Sequence, residues 1–148
     1  MTVRVEREFT IDASCAAIWE FIADPGHRAE AISVVAGYSI PDGAGNRATW
    51  DIKLPIPILN RTIRVETRDL EREPPTYVKF VGRSRVLRVL GEHRLERTAD
   101  GCVVSNKFVV DGSVPGVERF FKRNFESEID NIEAGLRQYL ADREPETD

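Results

Sequence analysis

The order in which hydrophobic periodicities change along this chain limits its fold more than any other feature. An alternating segment comes first, then a short helical stretch, then a long series of alternating segments, and one long helical stripe fills the C-terminal quarter. Alternation with period two buries one face of a strand. Apolar residues spaced by three and four bury one stripe of a helix. Strands that follow one another quickly, separated by turn residues, read as an antiparallel meander. The expected architecture is therefore α+β: a curved antiparallel sheet of six or seven strands around a long C-terminal helix, with two short helices after the first strand. A sheet wrapped around one helix tends to leave a pocket between them.

The individual segments support this order. Val3, Val5, Phe9 and Ile11 share one face of the opening strand, and Arg4, Glu6, Glu8 and Thr10 share the other. Asp12 or Ser14 is placed to cap the helix that follows, whose inward positions are Ile18, Trp19, Phe21 and Ile22. Asp24-Pro25-Gly26 ends it, because proline disfavours a helical residue before it. A second short helix is expected over 27–32. Strands are expected over 33–40, 47–54, 62–71, 77–83, 87–97 and 102–110. The segment LPIPIL at 54–59 interrupts them, since two prolines cannot remain in a central strand. The last helix is expected over 115–142, with an apolar stripe of Val117, Phe121, Phe125, Ile129, Ile132, Leu136, Tyr139 and Leu140.

A chain of 148 residues with this pattern is one domain, read as 1–142 with a frayed tail at 143–148. Its formal net charge of −4 and pI near 5.3 argue against nucleic acid as the main partner. No apolar stretch is long enough to span a bilayer, and the opening residues lack the apolar core of a signal peptide. A cytoplasmic location is expected. Cys15 and Cys102 match no zinc spacing and read as small buried hydrophobes in a reducing compartment. No metal and no cofactor is implied.

Strand parity nominates the residues that face the interior. His93 shares a face with Leu87, Val89, Gly91 and Leu95; Thr67 and Asp69 share one with Ile63 and Val65; Asn106 shares one with Val104 and Phe108. Turned inward together, Thr67, Asp69, His93 and Asn106 make a polar patch among apolar walls, an arrangement that orients ligands. Trp50, Ile52, Phe80, Phe108, Phe121 and Phe125 are the apolar walls. Histidine is a switchable acid or base, and Asp69 or Glu128, on the flank of the helical stripe, are its candidate partners. The bland alternatives are a hydrogen-bonded wall histidine, an Asp69 in solvent at its strand end, and a Glu128 whose stem reaches water. In LPIPIL, Ile56, Ile58 and Leu59 either gate the pocket or tuck back onto the core.

Three stretches carry a family resemblance. IDASCAAIWEFIADP resembles the strand end, tryptophan-bearing helix and Asp-Pro stop of the START-like helix-grip (SRPBCC) superfamily. EPPTYVKFVG resembles its proline turn and following strand, and GEHRLERTADGCVVSNKF its next hairpin. The likeness runs from Val3 to about Ala141. It is nearest to the polyketide cyclase/dehydrase and lipid-transport group and to carbon-monoxide-dehydrogenase-subunit-like proteins. With two histidines and no facial ligand triad, the chain departs from the metal-centre oxygenase branch. The resemblance implies a helix-grip fold. It leaves open carriers, cyclases and assembly factors.

The function expected is that of a carrier for a small hydrophobic ligand such as a lipid, isoprenoid, quinone or polyketide, held in an internal cavity. One alternative is a cyclase or dehydratase using His93 with Asp69 or Glu128. Another is an assembly or adaptor protein. A homodimer or a protein partner is compatible with either.

Overall fold

A computed structural model describes residues 2–41, 47–54, 62–113 and 116–143. In chain order the elements are β1 (Thr2–Ile11), α1 (Cys15–Ile22), α2 (Pro25–Ala31), β2 (Val35–Ser39), β3 (Arg47–Ile52), β4 (Ile63–Glu73), β5 (Tyr77–Arg83), β6 (Leu87–Thr98), β7 (Gly101–Gly112) and α3 (Val117–Arg143). The strands form one antiparallel sheet in the order β1-β7-β6-β5-β4-β3-β2. This is the expected helix-grip architecture, with seven strands. Of LPIPIL, only Leu54 falls among the described residues, and it is buried. Ile56, Ile58 and Leu59 lie outside the described residues, as does Pro115.

Local chemistry explains the short helices. Ser14 caps α1, its Oγ accepting from the Ala17 amide at 3.1 Å. Asp24-Pro25 does two jobs. It stops α1 as expected, and it also starts α2, because Asp24 Oδ1 accepts from the Gly26 amide at 2.7 Å and Pro25 occupies the first turn. The second helix thus begins two residues earlier than the 27–32 expected. Proline suits that place, since the first-turn N–H has no intrahelical partner.

The stripe on α3 packs inward as the spacing predicts. Val117, Phe121, Phe125, Ile129, Ile132 and Leu136 are buried, while Tyr139 and Leu140 are half-buried. Polar ties to β1 hold the helix in place. Arg7 reaches Asp130 Oδ1 at 2.8 Å, and Arg137 donates to the Thr10 carbonyl at 3.2 Å.

The cysteines require a correction. They are not free thiols: Cys15 and Cys102 form a disulfide. Register accounts for this. Cys102 pairs with Ile11 at the end of β1, and Cys15 opens α1 only four positions later. Their Cα atoms stand 5.5 Å apart, within the range a disulfide needs.

Candidate functional site

The inner face of the sheet is built by cross-strand rows. Asp69 lies opposite Phe80, Phe80 opposite Gly91, and Gly91 opposite Phe108. Next to this row, Val78 lies opposite His93 and His93 opposite Asn106. Directly opposed residues share a face, so these side chains meet above the sheet. Gly91 leaves the gap that the aromatic rings fill: a Cβ there would come within 2.5 Å of Phe80 Cζ and 3.0 Å of Phe108 Cε1.

The rings form a continuous buried run. Trp50 meets Phe80 at 6.0 Å between ring centres, and Phe80 meets Phe108 edge-on at 6.4 Å. Phe108 stacks on Phe125 of α3 at 4.7 Å, and Phe125 meets Phe121 at 5.2 Å. Ile52 and Thr67 are buried beside this run, and Thr67 spends its hydroxyl on the Ala48 carbonyl at 2.9 Å. All the expected wall residues therefore face the interior.

His93 is almost wholly enclosed, between Phe80 and Phe108. Its Nδ1 lies 2.8 Å from Asn106 Oδ1. Asn106 Nδ2 donates to the Arg7 carbonyl at 3.2 Å, which fixes the amide orientation and leaves Oδ1 as the acceptor. Nδ1 therefore carries the proton and Nε2 the lone pair. Burial, reinforced by the positive charge of Arg28, lowers the His93 pKa to about 4. At neutral pH the ring is uncharged.

Asp69 is also buried, but its partner is not His93. Its Oδ1 accepts from Arg28 Nη2 at 2.6 Å, and its Oδ2 lies 3.3 Å from Arg72 Nη1. Arg28 Nη1 donates to the Ile22 carbonyl at 3.1 Å, and Arg72 Nη2 to the Ala23 carbonyl at 3.3 Å. Two arginines thus meet the exposed carbonyls at the end of α1, where positive charge is favoured. Burial pushes the Asp69 carboxyl up and the Arg28 guanidinium down, while the attraction between them opposes both shifts.

Glu128 is buried too, and it serves neither His93 nor water. It accepts from the Ser33 amide at 2.7 Å and from the Ser33 hydroxyl, which ties α3 to the turn between α2 and β2. Both expected carboxylate partners of His93 are therefore committed elsewhere.

Arg28 is the site residue that sequence reasoning missed. It is 5% exposed, and its guanidinium lies 4.9 Å from the Phe80 ring centre. The signal was its spacing: Arg28 stands one helical turn before Ile32, which is buried. Two N–H groups beside Phe80 lack an acceptor, Arg28 Nε and Trp50 Nε1. Asp69 Oδ2 lacks a hydrogen bond as well, although Arg72 faces it. Among the described residues, no three His, Cys, Asp or Glu side chains gather to hold a metal ion. No described helix is long and apolar enough to cross a membrane.

A family model for polyketide cyclase/dehydrase and lipid transport matches residues 2–137. The chain belongs to this polyketide cyclase/dehydrase and lipid transport family. Membership places it among ligand-binding or cyclase-type proteins. No curated protein matches the chain. Solved structures that share the fold include a START superfamily protein from Mycobacterium smegmatis, with a TM-score of 0.71, 10% identity, and coverage of 94% of this chain and 97% of that one. A conserved protein from Geobacillus kaustophilus gives a TM-score of 0.69 at 13% identity, covering 96% of both chains. The di-domain ARO/CYC StfQ from the steffimycin biosynthetic pathway gives 0.71 at 11% identity over 96% of this chain. The match spans 52% of that protein, about one of its two domains. At these identities the likeness establishes the helix-grip fold.

Proposed function

We propose that this protein is a carrier that binds a small hydrophobic ligand between α3 and the inner face of the sheet. The observation that supports this reading most directly is the buried aromatic run from Trp50 through Phe80 and Phe108 to Phe125 and Phe121. Each ring offers large contact area to an apolar guest. Each is also nearly enclosed by its neighbours, so a ligand enters when some of them turn aside. A lipid, isoprenoid, quinone or polyketide-like molecule suits such walls. The test is native mass spectrometry of the purified protein, with organic extraction to name what it carries.

The segment after Leu54 is the proposed gate, with Ile56, Ile58 and Leu59 covering the mouth. Serine at Ile56 and Ile58 is expected to speed exchange of an apolar probe more than it lowers Tm. Unfolding with unchanged exchange would make the segment ordinary core.

A cyclase or dehydratase role finds less support. A general base works best with a pKa near the working pH, and His93 sits far below it, with no carboxylate bonded to its ring. The cytoplasmic location expected from the sequence fits poorly with the Cys15–Cys102 bond, because disulfides persist mainly in oxidising compartments. The carrier reading does not depend on location.

A further inference from the structure

The inner polar groups are not all alike. Thr67 bonds the Ala48 carbonyl, Asn106 bonds His93 and the Arg7 carbonyl, and Glu128 bonds Ser33. Those groups are satisfied by the protein. Arg28 Nε and Trp50 Nε1 are not, and both side chains are 5% exposed. They belong to different elements, α2 and β3, yet both pack against the Phe80 ring, Arg28 at 4.9 Å and Trp50 at 6.0 Å.

Neither group can accept a hydrogen bond, since indole and guanidinium nitrogens only donate. A buried donor without an acceptor is costly, and such groups in folded proteins are nearly always paired. What belongs beside Phe80 is therefore an acceptor oxygen that the chain itself does not supply.

Charge narrows the chemistry. The two buried charges here, Arg28 and Asp69, already face each other at 2.6 Å. Arg72 meets the other Asp69 oxygen from a position one-third open to water. His93 contributes no charge at neutral pH. A carboxylate brought into this space would be a third buried charge whose enclosed counter-charge is already taken, which is expensive. An uncharged carbonyl oxygen has lone pairs to give and no net charge to bury.

We propose that Arg28 Nε and Trp50 Nε1 form an acceptor subsite, and that the ligand is an apolar molecule bearing an uncharged carbonyl group, such as a ketone, ester or quinone, set beside Phe80. This inference rests on the carrier reading above and adds the polar chemistry of the guest.

Three probes of similar shape test it by equilibrium dialysis: 2-acetonaphthalene, 2-isopropylnaphthalene and 2-naphthoate. The decisive variant is Trp50→Phe, which keeps an aromatic ring and removes the N–H. Arg28→Lys, which keeps the positive charge and removes Nε, is the second. Circular dichroism checks that each is folded. In the wild type the ketone is expected to bind more tightly than the carboxylate. The preference for ketone over hydrocarbon should fall by up to about tenfold in Trp50→Phe, the worth of one hydrogen bond. Hydrocarbon binding should stay nearly unchanged. Should both neutral probes bind with a preference that neither variant alters, buried water satisfies these donors and the subsite is overturned while the carrier reading stands. Tighter binding of the naphthoate overturns the uncharged carbonyl. If no probe binds, the carrier reading itself fails, and the subsite with it.

Discussion

Gly91 and Phe80 face each other across the β5–β6 pair, and the Phe80 ring lies so low over Gly91 that a Cβ there would overlap its Cε1 and Cζ atoms. The ring has little room to retreat, with Trp50, His93 and Phe108 around it. Gly91→Ala is expected to cost about 1–3 kcal/mol, the usual penalty of overpacking a core. Urea denaturation measures it. Adding Phe80→Leu to Gly91→Ala should recover part of the loss; a fully additive double mutant would mean that the two residues do not press on each other.

The Arg28–Asp69 pair gives a second prediction. Replacing Arg28 with Met leaves the Asp69 carboxylate buried with only Arg72 beside it. Losing one partner of a buried pair typically costs about 3–5 kcal/mol. Arg28→Met combined with Asp69→Leu removes both charges and should be more stable than Arg28→Met alone. Equal stability of the single and double variants would show that the pair is not coupled.

Stability should depend on pH through His93. Its folded pKa is lowered to about 4 from an ordinary 6.5, so between these values the unfolded chain binds the proton and the folded one does not. Stability from this group is complete above pH 6.5 and is lost as pH falls towards 4. The loss amounts to about 3 kcal/mol. Asp69 works in the opposite sense, because its carboxyl is pushed up and holds its proton more tightly when folded. Comparing the wild type with His93→Gln isolates the histidine. The wild-type curve should fall more steeply over that window. Parallel curves would contradict the buried, neutral ring.

The disulfide closes a loop between residues separated by 87 positions. Cross-links of this kind typically stabilise by about 2–4 kcal/mol, chiefly by restricting the unfolded chain. Denaturation midpoints with and without reductant should differ accordingly. The variant with both cysteines replaced by serine should be insensitive to reductant. A wild type whose midpoint ignores reductant would show that the bond contributes nothing.

Much of the fold can be read from the sequence because it is set by local periodicity. The stripe from Val117 to Leu136 and the alternation that turns Phe80, His93, Asn106 and Phe108 inward both survive in the structure. What sequence leaves open is pairing between distant elements. Glu128 sits on the stripe's flank, but its bond to Ser33 depends on how α3 settles against the α2–β2 turn. Asp69 has inward parity, but its choice of Arg28 over His93 depends on where α2 lies over the sheet. Arg28 itself belongs to a helix of seven residues, too short for periodicity to declare a face. The Cys15–Cys102 bond was hidden for a similar reason, since only the β1–β7 register brings the two sulfurs together.

The central claim is that the aromatic interior holds a small hydrophobic molecule. Native mass spectrometry of the freshly purified protein tests this most directly, followed by organic extraction and identification of whatever is released. The account predicts a mass above that of the bare chain, lost on extraction, that belongs to an apolar compound carrying an uncharged carbonyl. A protein that flies at its bare mass, and stays so after incubation with the naphthyl ketone and hydrocarbon probes, would contradict it.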